Sequence, residues 1–135
     1  MQPNRFRLFI TAHLAFLAAC IGSAFMPGRY TQELEAAFAA EPVVWLLQGS
    51  WLANSLALVV FAALLSSIVG LYRFKRWARP LALWTLAAEF VIYPFLGPTV
   101  QSALENTFMY ASSLSCGAVL ALAYFSPPIS SRFEE

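Results

Sequence analysis

Two ionisable side chains lie within long apolar stretches of this sequence, where an ionised group is costly. Glu89 lies in the apolar run that follows Arg79 and Pro80, and His13 lies in the apolar run near the N-terminus. A carboxylate at the centre of a bilayer costs at least about 2.5–3.5 kcal/mol. Glu89 is therefore expected to face the interior of a helix bundle, to be protonated, or to have a polar partner.

Other polar residues in the apolar stretches are spaced so that they would lie close to Glu89 or His13. Thr85, Glu89 and Tyr93 are four residues apart, so they share one face of a helix. Ser66 and Ser67 lie in another apolar run, at a depth similar to that of His13 when each is measured along its helix from the nearest positive residues. We expect a polar seam inside the bundle in which His13 is the partner of Glu89.

Two interpretations of this polar seam remain open. Ionisable residues inside a membrane mark a proton-binding or ligand-binding site by default. A hydrogen-bonded pair between helices also fixes their packing, and is worth about 1 kcal/mol. A proton path usually needs a relay, and the sequence offers no second acid in its apolar runs, so packing is the favoured interpretation.

The two cysteines, Cys20 and Cys116, each lie in an apolar run, and neither belongs to a CxxC pair. Both are expected to be small packing residues. Leu17-Ala18-Ala19-Cys20 also matches a bacterial lipobox, preceded by positive and apolar segments of the kind found in signal peptides. In that alternative, Cys20 is lipidated and becomes the new N-terminus, and three spans remain.

Other kinds of chemistry have no support in the sequence. There is no cluster of metal ligands and no glycine-rich phosphate loop, so we expect no metal and no cofactor. A nucleophile such as Ser66, Ser67 or Cys116 with His13 as base is conceivable, but nothing in the sequence orients the base. We therefore expect no catalytic residues and no enzyme. The net charge of +1 leaves no basic surface for nucleic acid.

The elements that position these residues follow from composition. Of the 135 residues, 60% are hydrophobic and 11% are charged, whereas a soluble domain carries about 25% charged residues. Four apolar stretches, at about 8–26, 43–71, 80–97 and 106–126, have lengths typical of transmembrane helices. Helices are predicted because backbone groups in lipid must be satisfied internally. The prediction is an all-α, four-helix transmembrane bundle in a single domain, 1–135.

The connecting segments carry local signals. Residues 31–40 predict a short amphipathic helix that lies at the membrane interface in the first outer loop. Ser102 and Glu105 have the spacing of a capping box at the start of the last helix. Pro94 is expected to kink or end the third helix. After Pro127 and Pro128 we expect a short polar tail.

The distribution of charge predicts the orientation. Seven of the eight positive residues fall on one side of a four-span arrangement: Arg5, Arg7, Arg73, Lys75, Arg76, Arg79 and Arg132. Positive residues are retained on the cytoplasmic side, so both termini are predicted to be cytoplasmic. The cluster Arg73, Lys75, Arg76 and Arg79 is also expected to contact anionic lipid headgroups.

Two segments of the sequence resemble known proteins: 76–83, which reads R-W-A-R-P-L-A-L, and 93–99, which reads Y-P-F-L-G-P-T. They resemble uncharacterised small four-span inner-membrane proteins of proteobacteria, and the similarity covers about a third of the chain. The resemblance implies a multi-pass protein of a bacterial inner membrane and implies no activity.

Two functions are therefore carried forward. The first is a non-enzymatic accessory, assembly or partner-binding protein that acts through the bilayer, a membrane-protein partner or a second copy of itself. The second is a small proton-coupled transporter or permease that uses Glu89 and His13.

Overall fold

The computed structural model describes residues 2–26, 30–40, 50–95 and 100–134, and all regular structure in these ranges is helical. The α-helices are α1 (Pro3–Ser23), α2 (Gln32–Ala39), α3 (Trp51–Tyr72), α4 (Ala78–Ile92), α5 (Ala103–Phe125) and α6 (Pro127–Ser130). Short 3₁₀ turns follow α4 at Tyr93–Phe95 and α6 at Ser131–Phe133. The predicted all-α class is confirmed.

Side-chain caps fix where three of the helices begin. The hydroxyl oxygens of Thr31 and Ser50 each accept a hydrogen bond from a backbone N–H three residues further on, at the starts of α2 and α3. The predicted capping box is present at α5: Ser102 Oγ accepts from Glu105 N–H at 3.2 Å, and Ser102 N–H donates to the Glu105 carboxylate at 2.7 Å. These bonds satisfy N–H groups that have no partner within the helix.

Three helices are long and apolar enough to cross a membrane, namely α1, α3 and α5. With 15 residues, α4 extends only ~22 Å. Together with the 3₁₀ turn Tyr93–Phe95, which continues it, α4 reaches roughly 28 Å, close to the ~30 Å of a hydrocarbon core. The α-helix gives way to this turn around Pro94, which has no N–H to donate to the preceding turn.

The helix ends differ from the predicted spans. The helix predicted over 43–71 begins in the structure at Trp51, because Ser50 is extended with φ −77° and ψ 150°. Residues 43–49 of that prediction lie outside the described residues, and so do residues 96–97 at the end of the third predicted span, 80–97. By contrast, α1 begins at Pro3, before the apolar run at 8–26, because the polar residues ahead of that run continue the same helix.

The four longer helices form two closely packed pairs. The helix α1 packs along α5, and α3 packs along α4, whereas fewer contacts join one pair to the other. An apolar core closes one end of the bundle, formed by the start of α1, the end of α3, the start of α4, the end of α5 and the C-terminal segment. The helix α2 buries none of its residues. It confirms the predicted short helix, and its interfacial position stays a prediction.

The turn from α3 to α4 is tightly built. Lys75 N–H donates to Gly70 O at 2.8 Å and Phe74 N–H donates to Leu71 O at 3.1 Å, the two bonds of a Schellman motif. Phe74 occupies the left-handed position with φ 55°, where glycine is usual. A phenylalanine here is explained by its ring, which lies 5.6 Å from the ring of Phe6 and 5.3 Å from that of Phe133.

The C-terminal segment differs from the expected polar tail. The helix α6 and the 3₁₀ turn after it fold back onto the bundle, and this segment, 127–133, is hereafter called the C-terminal return. Its residues Ile129 and Phe133 are fully buried. The guanidinium of Arg79 lies over the Phe133 ring at 5.0 Å and over the Tyr124 ring at 5.4 Å. The sequence prediction was wrong here because two apolar residues separated by one helical turn are too few to produce a periodic signal.

Candidate functional site

A cavity of about 180 Å³ lies between the two helix pairs. All four longer helices line it, and most of its wall is formed by Ile, Leu, Val, Ala and Met side chains. The polar groups on the wall are His13, Ser67, Glu89, Ser112 and Ser113, together with the thiols of Cys20 and Cys116. An apolar enclosure with a few polar groups is the usual form of a small-molecule site.

His13 is anchored to α5. It is 5% exposed, and its Nδ1 lies 3.1 Å from the backbone oxygen of Ser112 and 3.1 Å from Ser115 Oγ. A carbonyl oxygen can only accept a hydrogen bond, so Nδ1 carries the proton. The Ser115 hydroxyl already donates to Ser112 O at 2.8 Å and accepts from the same imidazole N–H. The α1 and α5 helices are joined here by residues 99 positions apart.

The other ring nitrogen of His13 has no such partner. Nε2 is buried, and no hydrogen bond from the described residues reaches it. In the neutral ring with the proton on Nδ1, Nε2 is an acceptor. A buried acceptor left unsatisfied costs about 1–3 kcal/mol, and the residue that carries this one is part of the cavity wall.

Glu89 lies on the opposite wall, contributed by α4. Within 2–26, 30–40, 50–95 and 100–134, no hydrogen bond or ion pair joins it to His13. The predicted partners are therefore two groups that line one cavity without a hydrogen bond between them. Glu89 and Leu64 also line a second, more open space of about 310 Å³ between α3 and α4.

Comparison with known proteins adds no identity. No protein-family model, no curated protein and no solved structure matches this chain.

The remaining predicted site residues divide between the cavity and other positions. Ser67 lines the cavity and donates to Leu64 O at 2.7 Å, whereas Ser66 is exposed. Thr85 is buried and donates within its own helix to Leu81 O at 2.8 Å, so its hydroxyl does not reach the cavity. Tyr93 lines the second space with Glu89.

Sequence reasoning missed the partners that hold His13. Ser112 and Ser115 belong to a cluster of small polar residues in the last apolar helix, which consists of Ser112, Ser113, Ser115 and Cys116. These residues could have predicted a contact with another helix, because hydrogen-bonding side chains that lie close together in a membrane helix tend to face a neighbouring helix. Sequence spacing alone did not show that this cluster is level with His13.

A second polar cluster lies near the far ends of α1 and α5. Tyr30 Oη lies 2.6 Å from Val100 O and 3.0 Å from Glu105 Oε2. Cys20 Sγ lies 3.8 Å from Glu105 O, and Glu105 is buried.

The alternative in which Cys20 is lipidated requires the loss of the residues before it. Cys20 lies inside the continuous helix α1, and Phe6, Ile10 and His13, which precede it in that helix, are buried in the bundle. Removal of residues 1–19 would take these side chains away.

No three His, Cys, Asp or Glu side chains among the described residues come together in a group that could hold a metal. Both cysteines are free thiols on the cavity wall. The cavity wall offers hydrogen bonding through the imidazole, one carboxyl group and three hydroxyls, in addition to the two thiols.

Proposed function

We propose that this chain is a non-enzymatic, multi-pass protein of a bacterial inner membrane that binds a small molecule inside its helix bundle. The observation that carries the proposal is a largely apolar cavity whose wall includes His13, a residue whose buried Nε2 receives no hydrogen bond from the described residues. The three membrane-length helices support the membrane location, and the resemblance of 76–83 and 93–99 to proteobacterial proteins supports the inner membrane.

The cavity defines the class of ligand. An engineered cavity of about 150 Å³ in another protein holds one benzene molecule, and this cavity is of similar size at about 180 Å³. A ligand of one small ring or a short branched chain therefore fits. Because His13 Nε2 is an acceptor, the ligand should carry one O–H or N–H group that points toward α1.

Since the chain has one histidine, nitrogen NMR of ¹⁵N-histidine-labelled protein in lipid nanodiscs reports on this ring alone. We expect the Nδ1–H tautomer without ligand. Phenol should shift the Nε2 resonance in the direction of an accepted hydrogen bond, and toluene, which has the same shape without the hydroxyl, should not. A proton found on Nε2 in the unliganded protein, or equal responses to the two probes, would contradict the proposal.

Two variants separate the cavity from nonspecific partitioning of the probe. Leu86→Trp places a larger side chain on the cavity wall and should abolish the phenol response without touching His13. Ser66→Ala alters an exposed hydroxyl beside the cavity residue Ser67 and should leave the response unchanged. A phenol shift that survives Leu86→Trp would mean that phenol reaches His13 from elsewhere.

A proton-coupled transporter is the second candidate function. It is favoured by one observation, the position of Glu89 on both the central cavity and the more open space between α3 and α4. A protonatable group that borders two compartments can exchange a proton or a ligand between them. In proteoliposomes that contain a pH-sensitive dye, Glu89→Gln should abolish proton flux, while Glu35→Gln on the exposed helix α2 should not. Equal flux in the wild type and Glu89→Gln would sink this candidate.

A further inference from the structure

A concave basic surface lies at the end of the bundle where α3 turns into α4. It encloses about 510 Å³ and is lined by Arg73, Phe74, Lys75, Arg76, Trp77 and Arg132. Four of these six residues carry a positive charge and none is acidic. The four charged residues are exposed. Positive charges gathered on one concave surface raise the local concentration of anions there.

The fold, rather than the sequence, brings these charges together. The left-handed conformation of Phe74 turns its ring inward while its neighbours Arg73 and Lys75 remain exposed. The ring of Phe133 packs on that of Phe74 at 5.3 Å, and this contact carries the adjacent residue Arg132 to the α3–α4 turn. A cation about 60 residues away in sequence is thus held beside the other three.

Arg79, which the sequence analysis placed in the same cluster of positive residues, makes different contacts. Its guanidinium is half-buried, lies over two aromatic rings and donates to Ala123 O at 3.4 Å. It does not line the basic surface. The charges that face solvent here are therefore a different set from the predicted one, with Arg132 in place of Arg79.

We infer that this surface, hereafter the basic concavity, binds the phosphate group of one anionic phospholipid. Arginine side chains suit phosphate because their planar fork can donate two parallel hydrogen bonds. The surroundings favour a lipid over free phosphate, because Trp77 and Tyr72 are half-exposed at the same end of the bundle and such aromatic residues concentrate at headgroup level. The site is independent of the central cavity and does not rest on the proposed function.

The test compares two single charge removals. Wild type, Arg76→Gln and Arg5→Gln are reconstituted in nanodiscs of phosphatidylcholine with a fifth of phosphatidylglycerol, and the phosphatidylglycerol retained per chain is counted by native mass spectrometry after transfer to detergent. Arg5 is exposed on the first turns of α1 and does not line the basic concavity. We expect one retained lipid in the wild type, roughly five-fold weaker retention in Arg76→Gln, and no change in Arg5→Gln.

Each other outcome contradicts the inference. Equal losses in Arg76→Gln and Arg5→Gln would show a diffuse attraction to positive charge with no built site. Displacement of the lipid by low millimolar inorganic phosphate would show that the basic concavity takes a free anion. Arg132→Gln gives an independent check from a different segment, and it too should weaken retention if the C-terminal return builds the site.

Discussion

At the scale of single residues, polar groups in this chain are positioned by partners that are distant in sequence. His13 is held by a backbone oxygen and a hydroxyl on α5, and Glu89 faces the same cavity without a bond to His13. The presence of a buried acid and imidazole could be predicted, because apolar runs rarely tolerate such groups without a role. Their relative geometry could not, since it depends on the rotation of each helix about its axis.

Gly70 is a residue whose size the tertiary structure restricts. A Cβ added at Gly70 would lie 2.6 Å from the Cβ of Ala78 and 2.8 Å from Cη2 of Trp77, so α3 and the start of α4 would have to move apart. We expect Gly70→Ala to lower the free energy of unfolding by about 1–3 kcal/mol, the cost of overpacking a filled interior. Thermal unfolding in mild detergent would measure this.

The chain offers a matched control. A Cβ added at Gly117, also inside a helix, meets no atom of the described residues within 4 Å. Gly117→Ala should therefore show only the better helix propensity of alanine, a gain of up to about 1 kcal/mol. Equal effects at the two positions would mean that the close α3–α4 approach does not exist.

At the scale of elements, caps and breaks could be predicted and the C-terminal return could not. The capping box at Ser102 and Glu105 and the break near Pro94 are local, since each depends on residues within one turn. The burial of Ile129 and Phe133 depends on a surface that α1, α3 and α4 build together. No local pattern encodes that surface.

The C-terminal return is expected to contribute strongly to stability. Phe133 is 0% exposed and contacts the rings of Phe6 and Phe74. Phe133→Ala should lower the free energy of unfolding by about 3–5 kcal/mol, as for other buried phenylalanines. Phe125→Ala is the control, because that side chain is 85% exposed. If both variants unfold at the wild-type temperature, the tail does not pack on the bundle in solution.

At the scale of the whole molecule, the orientation in a membrane depends on whether α4 crosses. Four crossings place both termini on one side, whereas three crossings place them on opposite sides. The length of α4 with its 3₁₀ turn, roughly 28 Å, favours four. We expect a green fluorescent protein fusion at the C-terminus to fluoresce and an alkaline phosphatase fusion there to be inactive. The reverse pattern would mean that α4 does not cross.

The assembly state and the integrity of the N-terminus can be measured together. Affinity purification of the C-terminally tagged protein from its own host in mild detergent, followed by native mass spectrometry, should give the mass of the whole chain. This is expected because Phe6, Ile10 and His13 are buried parts of the bundle. Loss of residues 1–19 with added lipid mass would instead establish lipidation at Cys20. A stoichiometric membrane partner in the same spectrum would favour the accessory function over ligand binding alone.

The sequence by itself predicted an all-helical chain with four apolar stretches of membrane length, of which three are long apolar helices in the structure, and it showed which polar side chains are anomalous within them. These properties follow from composition, from caps and from proline, all of which act over a few residues. The tertiary structure decided that His13 is held by α5, that Glu89 borders two spaces, that Arg132 replaces Arg79 beside the α3–α4 turn, and that the tail is buried. Each of these features depends on residues that are tens of positions apart in the sequence. Such residues come into contact because of the way the two helix pairs pack, and the sequence around either residue does not specify that packing.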